Sequence, residues 1–145
     1  VCTVSDRHAE RKVVDLVEIP GARLVPAGRL DAASEGLVLL SNDGSFVYRV
    51  THPSRSVGKT YRVTVKGLPE PQTLRRLANG LVIQEGERPT APATVKLVAR
   101  RPSVLEMELH EGRNRQIRRM CDTVGHPVQR LVRVRVGGVS LGDLR

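Results

Sequence analysis

Aromatic residues, cysteines and long apolar runs are scarce in this sequence of 145 residues. Phe, Tyr and Trp make up only 2% of it, which argues against a nucleic-acid surface built from rows of stacked rings. The two cysteines form no C-x-x-C pair and the four histidines are scattered, so we expect no metal centre. No apolar run approaches the roughly 20 residues that a membrane-spanning helix needs.

Positive charge is what the sequence has in excess. Lys and Arg number 24 against 15 Asp and Glu, which gives a formal net charge of +9. Most of the excess is arginine, whose planar guanidinium suits phosphate better than the compact ammonium of lysine. A domain of this kind is expected to bind a polyanion, with nucleic acid first, although a generally basic proteome would give the same composition.

Short apolar runs separated by turn signals predict an α+β protein with a mainly antiparallel mixed sheet and flanking helices. A continuous apolar run at 36–40 predicts a strand buried on both faces, and alternating patterns predict further strands at 59–67, 94–99, 104–110 and 131–136. Helical spacing predicts helices at 71–81 and 114–124, and a shorter one at 46–50.

We expect the sequence to be a fragment, because it begins with Val1 and not with Met. Residues 1–4 already have the pattern of a strand, 13–17 predict a short helix or strand, and no secretory pattern precedes them. We therefore expect residues 1–145 to form a single domain of a longer protein. Cys2 and Cys121 are expected to be buried free thiols in a reducing cytosol.

The first candidate for chemistry is the segment 28–36, which precedes the apolar run. Gly28 and Gly36 allow sharp turns at its ends. Arg29 and Asp31 point the same way in an extended loop, and an aspartate on a loop anchored by a buried strand is well placed for function. The residues alone favour the alternative of an ordinary surface Arg–Asp pair, since such pairs are common and weak.

The second candidate is the arginine-rich segment 111–119, at the start of the predicted helix 114–124. Cations at a helix N-terminus oppose the helix dipole, so this arrangement suggests a compensating anion such as phosphate or a carboxylate. A solvated basic face is the alternative. A third candidate is Tyr61, which the alternation places on the apolar face of its strand; a core tyrosine is its commoner role, and stacking on a base is the functional one.

Together these segments resemble the pseudouridine synthases, specifically the RsuA/RluB type that acts on ribosomal RNA. Residues 28–40 resemble the family's G-R-L-D motif with its apolar run, Lys59-Thr60-Tyr61 its K-x-Y motif, 111–120 its third motif, and 125–143 its C-terminal stretch. Ser34 stands where relatives usually have Thr and keeps the hydroxyl. The resemblance implies the pseudouridine synthase fold, without the S4-type RNA-binding domain that usually precedes it.

The resemblance implies that the protein isomerises a uridine of ribosomal RNA, with large-subunit RNA favoured, to pseudouridine. Asp31 matches the catalytic aspartate, Arg118 the basic residue that pairs with it, and Tyr61 the tyrosine that stacks on the flipped-out base. Ile117 would form a wall of the pocket. The expected RNA-binding residues are Arg29, Lys59, Arg113, Arg115 and Arg119. The expected protein is a cytoplasmic monomer that needs neither a metal nor an organic cofactor and has no membrane partner.

Two other classes of function remain. A non-catalytic RNA-binding module of a ribosome-associated protein explains the charge and the arginine-rich helix, but gives Asp31 no role. A nuclease that uses Asp31 with a histidine predicts strand cleavage and a metal requirement, for which the sequence shows no ligand cluster.

Overall fold

A computed structural model describes residues 23–52 and 57–142, which form a six-stranded mixed sheet, a two-stranded sheet and three helices. The predicted elements at 1–4 and 13–17, and Cys2, lie outside the described residues. The elements in chain order are β1 (Val25–Ala27), β2 (Glu35–Gly36), β3 (Leu39–Ser41), α1 (Gly44–Thr51), β4 (Lys59–Val65), α2 (Pro71–Asn79), β5 (Thr94–Arg100), β6 (Ser103–Leu109), α3 (Gln116–Thr123), β7 (Val128–Val136) and β8 (Val139–Ser140).

The large sheet has the strand order β2-β7-β4-β6-β5, with β8 also paired to β7. Only the pairing of β2 with β7 is parallel; the other pairings are antiparallel. Strands β1 and β3 pair with each other in a small antiparallel sheet, against which α1 packs. The prediction of an α+β fold with a mainly antiparallel mixed sheet and flanking helices is confirmed.

The core lies on one face of the large sheet, under α2 and α3. Alternation in β6 places every second residue, from Ser103 to Leu109, in the buried layer, as expected for a half-buried strand. Val63 of β4 and Leu105 of β6 are opposite one another and fully buried. Helix α3 contributes Met120 and Cys121 to the same cluster. This packed core holds the strands of the large sheet in fixed positions.

Helix boundaries follow the capping signals. Asp43 caps α1, its carboxylate accepting hydrogen bonds from the amides of Ser45 and Phe46 at 2.9 and 3.3 Å. Helix α2 begins at Pro71 and stops at Asn79 because Gly80 adopts a positive φ of 99°. The predicted helix 71–81 is thus two residues too long at its end. Helix α3 begins later than predicted, because Arg115 adopts a left-handed conformation just before it.

The prediction of a single buried strand at 36–40 is wrong. Gly36 has a φ of 116°, which ends β2 and turns the chain, and Leu39 then begins β3 in the other sheet. Only Leu37 of this run is buried. Its amide donates to the carbonyl of Arg133 at 2.8 Å, so the apolar run crosses between the two sheets.

The helices within 23–52 and 57–142 include none that is both long and apolar enough to cross a membrane.

Candidate active site

Asp31 lies in the turn that joins the two sheets. Gly28 follows β1 with a φ of 102°, and the chain then turns tightly, with the amide of Ser34 donating to the carbonyl of Asp31 at 2.9 Å. Asp is a favoured first residue of such turns. The turn leads directly into β2, which pairs with β7 of the large sheet. The position of Asp31 is therefore set by contacts at both ends of a short segment.

A cavity of about 710 Å³ opens beside this turn. Its size is within the range of small-molecule and nucleotide sites. Asp31 and Arg29 both line it, as do side chains from β4, β6, β7 and α3. The lining residues that matter below are Asp31, Lys59, Tyr61, Arg115, Ile117 and Arg133.

The arginine-rich segment before α3 is organised by Glu111 and Gln116. The Glu111 carboxylate accepts from the amide of Ala91 at 3.0 Å and from the side-chain amide of Gln116 at 3.1 Å. The Gln116 carbonyl oxygen in turn accepts from the amide of Arg113 at 3.0 Å. This network of partly buried hydrogen bonds fixes the turn in which Arg115 takes a φ of 51°, a conformation that is uncommon for a side-chain-bearing residue.

Arg115 forms the ion pair to Asp31, with Nη1 and Oδ2 3.9 Å apart. The side chains are 50% and 38% exposed, so this contact is long and open to solvent. The resemblance to the pseudouridine synthases implied Arg118 as the partner of this carboxylate. Instead, Arg118 lies almost one helical turn further along and donates to the carbonyl of Ala33 at 2.8 Å and towards the Ser34 hydroxyl at 3.5 Å. Arg118 thus contacts the turn that carries Asp31, whereas Arg115 contacts the carboxylate of Asp31.

The other basic candidates have different surroundings. Arg29 is exposed and lines the cavity. Lys59 lies inside, and burial, with a smaller contribution from the charge of Arg133, lowers the pKa of its ammonium group. Arg113 is held within the protein, donating to the carbonyls of Arg88 and Pro89 at 2.8 and 2.9 Å. Arg119 donates to the side chain of Gln84 at 2.9 Å.

Tyr61 and Ile117 supply the apolar part of the cavity. Tyr61 is partly buried and packs against the core cluster, so its ring is both a core residue and a wall of the cavity. Ile117 is 4% exposed and belongs to the same cluster. Apolar and aromatic side chains together with a few polar groups are the usual lining of a site for a small molecule.

Arg133 is a site residue that the motifs did not single out. It is 1% exposed, lines the cavity, and donates from Nε to the carbonyl of Leu37 at 2.8 Å. The sequence carries no clear signal for it, because the valines at 132, 134 and 136 made the other face of the strand look like the apolar one, whereas the structure buries Arg133 on the face of Leu131. Within 23–52 and 57–142 there is no group of three or more His, Cys, Asp or Glu side chains that could hold a metal ion.

A family model described as RNA pseudouridylate synthase matches residues 6–123 of the chain. The chain belongs to this family. The ribosomal large subunit pseudouridine synthase B of Bacillus subtilis is 38% identical over the whole chain. The ribosomal large subunit pseudouridine synthase E of Xanthomonas campestris is 41% identical over 82% of the chain. A crystal structure of a pseudouridylate synthase superposes with a TM-score of 0.76 at 34% identity, covering 81% of this chain and 50% of that one.

The chain spans only part of several of these pseudouridine synthases. It covers 62% of the Bacillus subtilis protein and 57% of an uncharacterised RNA pseudouridine synthase of Mycobacterium leprae, which is 41% identical. It covers 72% of the Xanthomonas campestris protein. The family and the fold are thus established for this chain, and the segment that carries Asp31, Tyr61 and Ile117 lies within the matched residues.

Proposed function

We propose that the protein converts a uridine of ribosomal RNA to pseudouridine, with residues 1–145 as its catalytic domain and Asp31 as the catalytic carboxylate. The observation that carries the proposal is that Asp31 lines a cavity of about 710 Å³ together with the ring of Tyr61 and several basic residues. Large-subunit RNA is the favoured substrate, because two of the relatives are named large subunit pseudouridine synthases. An enzyme with this substrate works in the cytoplasm, and we expect it to act as a monomer.

The chemistry requires a group that can act at the ribose. The bond from C1′ to N1 of uracil breaks, the base turns, C1′ bonds to C5, and the proton on C5 leaves while N1 gains one. A carboxylate can attack C1′, stabilise positive charge there or move the C5 proton. The reaction is an isomerisation without any change of oxidation state, so the proposal includes no metal and no organic cofactor.

A uridine stacked in RNA cannot reach Asp31, so the nucleotide must be flipped into the cavity. We assign the ring of Tyr61 to stacking on the flipped base and Ile117 to the wall behind it, since both already line the cavity. Arg118 supports catalysis through the turn that it contacts at Ala33. This site has both the apolar wall and the carboxylate that the flipped nucleotide needs.

The basic residues have two different roles in this proposal. Arg29 and Arg115 are exposed at the rim and contact RNA phosphates directly, and Lys59 provides a cation inside the cavity. Arg113 and Arg119 are held by internal hydrogen bonds, so they shape the RNA-facing segment and offer phosphate only their remaining donors. Phosphate contacts of this kind make RNA binding weaken as salt concentration rises.

The test is to incubate the protein with unmodified ribosomal RNA of both subunits and to map pseudouridine by carbodiimide labelling and primer extension. We expect one new stop, in large-subunit RNA, that is absent with Asp31→Ala. If the protein binds RNA but produces no stop on either RNA, the proposal is contradicted and a non-catalytic binding module is favoured.

A further inference from the structure

The guanidinium of Arg133 is buried without a carboxylate partner among the described residues. Its Nε donates to the carbonyl of Leu37 at 2.8 Å, and its Nη1 to the carbonyl of Arg29 at 3.2 Å. Its Nη2 is buried and has no hydrogen-bond partner in that part of the chain. Arg133 is therefore the one fully buried cation of the described core, and its known partners are both main-chain carbonyls of the segment that carries Asp31.

An apolar side chain would fill this place at lower cost. Burial of a charge without an ion pair opposes folding, because the lost hydration is only partly replaced by hydrogen bonds. The other buried residues of β7 are Leu131 and Val136, both apolar. A cation in this row is consistent with a function that a leucine could not perform.

The same residue also holds the segment through its backbone. Its carbonyl accepts from the amide of Leu37 at 2.8 Å. Gly36 lies so close that a Cβ at this position would overlap the carbonyl oxygen of Arg133. Both the side chain and the backbone of Arg133 thus form hydrogen bonds with Leu37. Only its side chain also bonds to Arg29, which lies on the other side of Asp31 in the segment.

We propose that Arg133 is a positioning residue, which clamps the two ends of the segment 29–37 so that the carboxylate of Asp31 keeps its place in the cavity. The inference rests on the proposed function. A planar fork with several donors can bridge two carbonyls at once, whereas the ammonium of lysine is a point donor on a flexible stem. Small displacements of a catalytic group cost much of the rate, so a loosened segment reduces the rate of reaction more than the binding of RNA.

The variants for the test are Arg133→Met, which removes the charge and all donors, and Arg133→Lys, which keeps the charge but not the fork. Arg135→Met is the matched control, because Arg135 lies on the same strand, is exposed, and donates to the hydroxyl of Ser140 at 3.2 Å instead. Amide hydrogen exchange is measured in peptides that cover 29–37 and, as a core reference, 103–109. Single-turnover release of tritium from RNA labelled at C5 of uridine, and the Kd for that RNA, are measured on the same proteins.

We expect exchange in 29–37 to rise by about tenfold or more in Arg133→Met and less in Arg133→Lys, with no change in 103–109, since only the segment loses its hydrogen bonds. The single-turnover rate should fall by about 10²-fold in Arg133→Met, with Kd nearly unchanged. Arg135→Met should match the parent in every measurement. If Arg133→Met does not fold, the comparison rests on Arg133→Lys, which keeps the buried charge.

Four results would overturn the inference or the function on which it rests. Exchange in 29–37 equal to that of the parent would show that Arg133 is no clamp, and an equal rise in 103–109 would show a general contribution to stability. Faster exchange in 29–37 with an unchanged single-turnover rate would show a clamp that does not position Asp31. If the parent itself releases no tritium, the proposed function fails and the positioning role with it, while the exchange data still decide whether Arg133 holds the segment.

Discussion

Gly36 provides the sharpest test of how the Asp31 segment is attached to the sheet. It has a φ of 116°, which disfavours any residue with a side chain. A Cβ built on it would overlap the carbonyl oxygen of Arg133 and lie 2.5 Å from the nitrogen of that residue. Both obstacles are backbone atoms of β7, so no side-chain rotation relieves them. Gly36→Ala must therefore push β2 away from β7.

The magnitude follows from what this displacement removes. A side chain in such a conformation costs about 1–3 kcal/mol. The hydrogen bond from the amide of Leu37 to Arg133 is worth about 1 kcal/mol, and the buried side chain of Leu37 is partly uncovered. We expect the free energy of unfolding to fall by about 3–5 kcal/mol, which is at the upper end for a single substitution.

Gly44→Ala is the matched control. Gly44 is the first residue of α1, its φ is not positive, and a Cβ there meets nothing within 4 Å. Alanine at that place should leave stability unchanged or raise it by up to about 1 kcal/mol. Because the chain contains no Trp, unfolding in urea is best followed by far-ultraviolet circular dichroism. A loss below about 1 kcal/mol for Gly36→Ala, similar to the control, would refute the account of this contact.

Three further predictions concern single side chains. Burial raises the pKa of Cys121 to about 12, so in a Cys2→Ser background it should resist Ellman's reagent at pH 8 and react only after unfolding; rapid labelling of the native protein would contradict this. Burial lowers the pKa of Lys59 below 10.5 in the folded protein, so the unfolded chain binds this proton more tightly and the charged lysine opposes folding at pH 7. Lys59→Met should therefore raise the melting temperature at pH 7, by an amount that shrinks as the pH rises towards 10.5. A difference in melting temperature that stays constant across that range would exclude this cause. Arg115→Gly should relieve the left-handed backbone and be as stable as the parent or up to about 1 kcal/mol more stable, yet bind RNA less tightly with a salt slope reduced by about 1; an unchanged salt slope would argue against a phosphate contact.

The sequence predicts well those elements whose pattern is local. The strands β4 and β6 and the helices α1 and α2 were predicted because alternation and helical spacing are signals that lie within the element they specify. The run 36–40 was misread as one strand because its apolar residues are continuous, although Gly36 was also expected to allow a sharp turn. That turn exists because the backbone of β7, about a hundred residues later, lies against it.

The site shows the same division between local and distant causes. The motifs identified several of the residues that line the cavity, including Asp31, Tyr61 and Ile117. They did not show which arginine contacts the Asp31 carboxylate. The left-handed conformation of Arg115 shifts the start of α3 and places Arg118 against the carbonyl of Ala33. Arg133 was missed because its partners, the carbonyls of Arg29 and Leu37, carry no signal in the sequence.

The central claim is that the carboxylate of Asp31 makes a uridine exchange its N-glycosidic bond for one at C5, and the most direct test is the release of tritium from ribosomal RNA labelled at C5 of uridine. Asp31→Asn keeps the shape of the side chain and removes its charge, and Asp122→Asn, an exposed carboxylate on α3, serves as the control. We predict that the parent and Asp122→Asn release tritium up to a plateau set by the amount of RNA, and that Asp31→Asn releases none while still binding the RNA. Release by Asp31→Asn at the rate of the parent would contradict the account.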